Sequence, residues 1–114
     1  MTASQFRKIA LSFPETVEAA HMGHPDFRVG GRIFATLDYP NEEHGVLVLS
    51  PEQKRELISH HPEMFESVPG GWGRRGSTRV LLKQITQPIL NAAMRKAWQR
   101  KAPKRLGKSR LAAK

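Results

Sequence analysis

Residues 23–37 read GHPDFRVGGRIFATL, and this stretch decides the fold. Gly30 and Gly31 separate two runs rich in aromatic and β-branched residues, which is the pattern of a β-hairpin with a two-residue turn. Glycine supplies the positive φ angles that such a turn requires. The odd-numbered residues from Ile33 to Leu37 are expected on one face of the second strand, because side chains alternate along a strand.

On both sides of the hairpin, the sequence pattern predicts further helices and strands. Helices are predicted over residues 2–13, 51–61 and 87–102, and further strands near residues 17–22, 46–49 and 77–83. We therefore predict the α+β class, with a small antiparallel sheet and helices packed on it in a single domain. The expected core is Phe6, Ile9, Phe13, Ile33, Leu37, Val46, Val48, Leu57, Ile58, Val80, Leu82, Leu90, Met94 and Trp98.

Charge divides the chain into two parts. The 114 residues include 19 Lys and Arg against 10 Asp and Glu, which gives a formal net charge of +9. Residues 1–94 hold ten basic and ten acidic residues, and residues 95–114 hold nine basic residues and no acidic one. A basic block of this kind attracts nucleic acid, an anionic membrane surface or an acidic partner, although it is also typical of a solvated tail. We expect a domain over residues 1–106 and a basic, disordered tail over residues 107–114.

Composition excludes several classes of protein. The chain has no cysteine, so disulfide frameworks and thiolate zinc sites are excluded. Val46 to Leu49 is the longest apolar run, which is too short to span a membrane. The N-terminus lacks the apolar segment of a signal peptide. We expect a cytoplasmic protein that is a monomer and has no membrane partner.

The stretch from Gly71 to Gly76 matches G-x-G-x-x-G but lacks the context of a nucleotide site. A dinucleotide-binding turn needs a strand before it and a helix at its end, and a P-loop needs lysine where Ser77 stands. We interpret the stretch as a glycine-rich loop in which Trp72 covers the core. A second interpretation is that Arg74 and Arg75 bind a phosphate or carboxylate at this turn.

The sequence contains little evidence for a metal-binding site or for catalytic residues. His21 and His24, with Asp26, could begin a metal site, but a glycine and a proline argue against one helical face and no further ligand cluster follows. His60 and His61 are expected at a helix C-terminus, where histidines often contact the last carbonyl groups. There is no G-x-S-x-G motif. We therefore expect no catalytic residue, no metal and no cofactor, and we predict that the protein is not an enzyme.

Three blocks of the sequence resemble one known family. They are GHPDFRVGGRIFATL at residues 23–37, GWGRRGST at residues 71–78, and AW followed by APKRL at residues 97–98 and 102–106. Together they resemble the MmcQ/YjbR family over residues 4–106. The resemblance implies a small bacterial α+β domain similar to a double-wing DNA-binding motif, and it implies DNA binding on that ground. It supplies no catalytic residues.

We predict from these observations a DNA-binding protein of low sequence specificity whose partner is double-stranded DNA. Arginine and lysine on a strand face, on the glycine-rich loop and near the C-terminus would contact phosphates. The predicted contacts are Arg28, Arg32, Arg74, Arg75, Arg79, Lys83, Lys104 and Arg105. Two alternatives stay open: a protein-interaction or small-anion-binding module with no role in nucleic-acid binding, and an enzyme acting on a small anionic substrate.

Overall fold

The computed structural model describes residues 1–38 and 41–106, which form eleven elements. The helices are α1 (Ala3–Leu11), α2 (Pro51–His60), α3 (Gly71–Arg74), α4 (Gln87–Lys101) and α5 (Lys104–Leu106). The strands are β1 (Val17–His21), β2 (His24–Val29), β3 (Arg32–Leu37), β4 (His44–Val48), β5 (Phe65–Ser67) and β6 (Ser77–Leu81). The predicted tail over residues 107–114 lies outside the described residues.

The six strands form one sheet in the order β1-β2-β3-β4-β6-β5, and every neighbouring pair is antiparallel. The predicted hairpin is present, with Val29 opposite Arg32 across the two glycines. Both glycines have positive φ, 58° for Gly30 and 76° for Gly31. The α+β class is therefore confirmed. The short elements β5, α3 and α5 were not predicted, because three or four residues carry too little periodicity to identify them.

The helices α1 and α2 each begin at a capping box. Thr2 accepts the backbone N–H of Gln5, and the Gln5 side chain accepts the N–H of Thr2 in return. Ser50 and Gln53 form the same reciprocal pair at the start of α2. Each box satisfies two N–H groups that a helix N-terminus otherwise leaves without a partner. The third long helix, α4, begins after its N-cap residue Thr86 and has Pro88 in its first turn, in agreement with the helix predicted over residues 87–102.

The core lies between one face of the sheet and the helices α1 and α4. Phe6 of α1 packs directly over β4, where a Cβ added at Gly45 would lie 2.7 Å from the Phe6 ring. Glycine at this position therefore allows the helix to approach the sheet. Nine of the residues expected in the core are buried there: Phe6, Ile9, Phe13, Leu37, Val80, Leu82, Leu90, Met94 and Trp98. Leu57 and Ile58 pack against this core while partly buried.

Val46 is buried as expected, although it lies outside the main core cluster, whereas the expectation that Val48 is buried is wrong. Leu47 and Leu49 are fully buried in the core, and Leu47 lies opposite Ala35 on one side and Thr78 on the other. Both faces of β4 are apolar, so alternation alone could not decide which face meets the helices. The valines instead lie on the face opposite the helices.

The expectation for Ile33 is also wrong, and a β-bulge explains it. Phe27 lies opposite Ala35, whereas the next residue, Arg28, lies opposite Ile33, so Phe34 is an extra residue in β3. An extra residue reverses the alternation on one side of the bulge. Phe34 is therefore fully buried in the core, and Ile33 points to the opposite face.

No helix in residues 1–38 or 41–106 is long and apolar enough to cross a membrane.

Candidate anion-binding groove

The face of the sheet opposite α1 and α4, which we call the open face, carries a shallow groove. Its volume is about 600 Å³, and its floor is formed by Ile33, Thr36, Val46 and Val48. Thr36 and Val46 lie opposite each other across β3 and β4, so the floor is continuous between these strands. Val68, in the loop before α3, is buried beneath one end of the groove. The β-bulge in β3 places Ile33 on the open face, where this residue forms part of the floor.

The glycine-rich loop is held tightly against the backbone beneath it. A Cβ at Gly73 would lie 1.6 Å from the carbonyl oxygen of Val68, and a Cβ at Gly76 would lie 1.9 Å from the carbonyl oxygen of Leu49. Only glycine allows this approach. Lys54 of α2 adds a hydrogen bond from its ammonium group to the carbonyl oxygen of Gly73, at 2.6 Å. These contacts fix the position of α3, and with it the side chains that α3 presents.

One wall of the groove comes from this loop and the other from the end of α4. Trp72 of α3 lines the groove with 52% of its surface exposed, so the expectation that it covers the core is wrong. Arg75 follows it on the same wall, and Arg100 and Lys101 line the groove from α4. Arg100 also donates a hydrogen bond to the carbonyl oxygen of Val48. Within the described part of the chain, no Asp or Glu lines the groove.

Like charges gather at the α4 end of the groove. Burial lowers the pKa of Lys101 below its ordinary value, and the neighbouring Arg32 and Arg100 lower this pKa further. Crowded cations repel one another, and a bound anion would relieve that repulsion. We use the term groove cations for Arg75, Arg100 and Lys101, which line the groove, together with Arg32, which lies beside Lys101.

Half of the cations predicted to bind phosphate are engaged by carboxylates of the protein. The pairs are Arg28 with Asp26, Arg79 with Glu66, Lys83 with Glu43, and Arg105 with Glu15. The closest N–O distances are 2.8 Å in the first three pairs and 3.4 Å in the fourth. A cation that already has a carboxylate partner offers less to a phosphate, because contact with the phosphate must compete with the existing pair.

The other four predicted contacts are Arg32, Arg74, Arg75 and Lys104. All four are exposed, and none forms an ion pair with another residue in 1–38 or 41–106. Arg74 ends α3 and Arg75 caps it, and Arg75 lines the groove. Two of the four, Arg32 and Arg75, therefore belong to the groove cations, whereas the other two groove cations, Arg100 and Lys101, were not predicted from the sequence. The run of basic residues without acidic ones after residue 94 was the signal that could have identified them.

At the β1–β2 edge of the open face, Asp26 forms a buried polar cluster. Its carboxylate is 0% exposed and accepts hydrogen bonds from Nε and Nη2 of Arg28, at 2.8 and 3.0 Å. Nδ1 of His21 lies 2.8 Å from the same carboxylate. The Arg28 hydrogen bonds lower the pKa of Asp26, burial opposes this, and His21 lowers it again. The carboxylate thus stays ionised and orients both of its neighbours.

This cluster makes the stability of the fold depend on pH. The folded-state pKa of Asp26 lies below the ordinary value of 3.8, so its contribution is present above that pH and is lost as the pH falls through the folded pKa. We expect Asp26→Asn to lower the free energy of unfolding by about 1.5–3 kcal/mol at pH 7, the range for hydrogen bonds to charged groups. At pH 3 the difference should be smaller. Urea unfolding at both pH values measures it.

The matched control for this variant is Glu56→Gln. Glu56 is an exposed carboxylate on α2 that forms no ion pair with the described residues. Its replacement should change the free energy of unfolding by less than about 0.5 kcal/mol. An equal loss in the Asp26 variant at pH 7 and pH 3 would contradict the assigned role of the ionised carboxylate.

The histidines considered for metal binding are placed apart from any ligand cluster. Within residues 1–38 and 41–106, no three His, Asp or Glu side chains gather where they could hold a metal ion. His60 ends α2 and His61 caps it, as the sequence predicts.

Comparisons with known proteins identify the fold and the family. The chain is similar to a Deinococcus radiodurans protein with a DUF419 domain, whose crystal structure superposes with a TM-score of 0.70. The sequences are 19% identical, and the match covers 96% of this chain and 80% of that chain. No curated protein matches the sequence significantly. The sequence profile of the YjbR family matches residues 11–100, so the groove and the sheet that carries it lie almost wholly within the matched region. The chain therefore belongs to the YjbR family.

Proposed function

We propose that this protein binds DNA through the phosphate backbone, using the open face and its groove. The observation that carries the proposal is the distribution of charge around the groove. Three cations, Arg75, Arg100 and Lys101, line it, and no carboxylate lines it within the described residues. The carboxylates of Glu15, Asp26, Glu43 and Glu66 pair with arginines and a lysine that do not line it. A site where positive charge is left unbalanced attracts a polyanion.

The proposed phosphate contacts differ from the set chosen on sequence grounds. The groove cations are the main proposed contacts. Arg74 and Lys104 are secondary contacts, because they are exposed and lie close in sequence to Arg75 and Lys101. Arg28, Arg79, Lys83 and Arg105 contribute less, because each would have to exchange a carboxylate for a phosphate. Contacts of this kind carry no base readout, so low sequence specificity follows. We assign no catalytic step to the site.

Titration of the ¹⁵N-labelled protein with short DNA tests the proposal. We expect shifts in the amide resonances of Arg32, Arg75, Arg100, Lys101 and their neighbours, and in the indole N–H of Trp72. Heparin of comparable charge serves as a control for simple polyanion binding. Shifts confined to residues 107–114 would mean that the basic end binds and the domain does not. No shift with any DNA would refute the proposal.

A small anionic ligand is the second candidate, and the size of the groove favours it. The volume of about 600 Å³ falls within the range of about 300–1,000 Å³ typical of small-molecule sites. An apolar floor with cations at its edge would suit an anion with a flat hydrophobic body. The discriminating ligand is a mononucleotide. If a mononucleotide binds as tightly as an oligonucleotide of ten residues, the small-ligand function is the correct one.

A further inference from the structure

We infer that the groove takes an unpaired base of single-stranded DNA, with Trp72 as the surface on which the base stacks. This inference rests on the proposed DNA binding and names the form of DNA that the site recognises. Double-stranded DNA is the partner predicted from the sequence, and the same experiment tests that prediction.

The floor of the groove is the first argument. The partly buried Ile33 and Val48 expose apolar surface there, above the buried Val46 and Val68, and phosphates cannot use this surface. In a duplex the faces of the bases are stacked inside the helix, and only phosphates, sugars and base edges reach a protein. A duplex would therefore touch the groove cations and leave the floor empty. A single strand can turn a base toward the protein and cover the floor with an apolar face.

The exposure of Trp72 is the second argument. An indole that is 52% exposed in a folded protein is unusual, because tryptophan is highly buried on average. The close approach of Gly73 and Gly76 to the backbone below holds α3 so that Trp72 lies at the groove wall. Single-strand-binding sites combine such an aromatic platform with a basic groove that follows the backbone.

The position of the cations relative to Trp72 is the third argument. Arg75 lies on the same wall, and Arg100 and Lys101 lie on the other, all within one groove of about 600 Å³. A base that contacts Trp72 and the apolar floor would thus have its flanking phosphates near positive charge on both sides. Thr36 and Ser77, which also line the groove, offer hydroxyl groups to base edges.

The test compares four ligands of equal length: an oligothymidine strand, a duplex, an abasic strand and a polyphosphate. Affinities are measured by anisotropy for the wild-type protein and for Trp72→Ala. We expect Trp72→Ala to weaken binding of the oligothymidine by about 5- to 150-fold, the fold-change that corresponds to one lost base stack. Affinity for the abasic strand and for the duplex should change by less than about 2-fold, because neither presents a base face.

Two further variants separate stacking from folding. Trp72→Phe keeps an aromatic face and should restore most of the affinity for oligothymidine. Leu11→Ala removes an exposed apolar side chain on α1, outside the groove, and should leave all four affinities unchanged. The chain contains two tryptophans, so in Trp72→Phe the emission of buried Trp98 reports that the fold is intact.

The outcomes also separate this inference from the proposed function. Equal loss of affinity for single strand and duplex, or no loss for either, would overturn the stacking role while DNA binding stands. Equal affinity of the wild-type protein for the abasic strand and for oligothymidine would also overturn the stacking role. If none of the DNA ligands binds, the proposed function fails and the inference fails with it.

Discussion

Trp98→Ala should lower the free energy of unfolding by about 3–5 kcal/mol, the range for removing a buried tryptophan. Trp98 is 0% exposed and stacks on Phe13 with ring centroids 6.1 Å apart. Its Nε1 donates a hydrogen bond to the carbonyl oxygen of Pro14, at 3.2 Å. The residue therefore joins α4 to the end of α1. A domain of this size has a total stability of about 5–15 kcal/mol, so the loss is a large part of the whole.

Urea unfolding followed by circular dichroism measures this loss. Trp72→Ala is the matched control, since it removes the same side chain from an exposed position. Because about half of the Trp72 side chain is already exposed, its loss should lower the free energy of unfolding by no more than about half as much as the loss of Trp98. Trp98→Phe should give an intermediate value and covers the case in which the alanine variant does not fold. Equal losses at positions 72 and 98 would contradict the assignment of Trp98 to the core.

Replacement of the four groove cations by glutamine should cause the largest change in DNA affinity. Each phosphate contact contributes a slope of about −0.7 to −0.9 to the dependence of log K on log salt concentration. Loss of all four contacts should flatten the slope by about three units and weaken binding by about 10²–10³-fold at 0.1 M salt. Anisotropy measured from 50 to 300 mM salt gives both quantities, and circular dichroism reports whether the variant is folded.

The control variant also removes four positive charges, but at positions outside the groove. Arg7 and Lys83 are held by Glu18 and Glu43, whereas Lys8 and Arg95 lie on α1 and α4, on the other side of the sheet. Replacing these four with glutamine should flatten the slope by less than about one unit, because ion pairs and distant cations release few counterions. Equal effects of the two variants would mean that only net charge matters.

Truncation after Leu106 separates the domain from the basic end of the chain. It removes Lys108, Arg110 and Lys114, so the slope should flatten by up to about three units if all three contact phosphates. The groove variant should then weaken binding further in the shortened chain. If truncation abolishes binding and the groove cations have no effect in the full chain, the function of the domain lies elsewhere.

Local signals in the sequence were sufficient to predict much of the fold. The capping pairs at Thr2 and Ser50, the two-glycine turn at residues 30–31 and the apolar stripe of α4 all depend on neighbours close in the chain. Such features are determined by backbone φ, helix capping and side-chain periodicity, which are properties of short segments. They predicted the α+β class, most of the elements and nine of the core positions.

Tertiary structure alone decided which face of the sheet each apolar residue occupies and which cations stay unpaired. The bulge at Phe34 placed Ile33 on the face opposite the helices, and packing of α1 over Gly45 placed Leu47 on the helix side and Val46 on the opposite face. Because a one-residue shift moves a side chain to the opposite face, local alternation cannot resolve such positions. Arg75 and Lys101 line one groove although 25 residues separate them in the chain. Asp26, Glu43 and Glu66 form ion pairs with cations that the sequence shows only as positive charge. Charge counted along a chain is a sum, whereas the field at a site depends on distances between groups that only folding brings together.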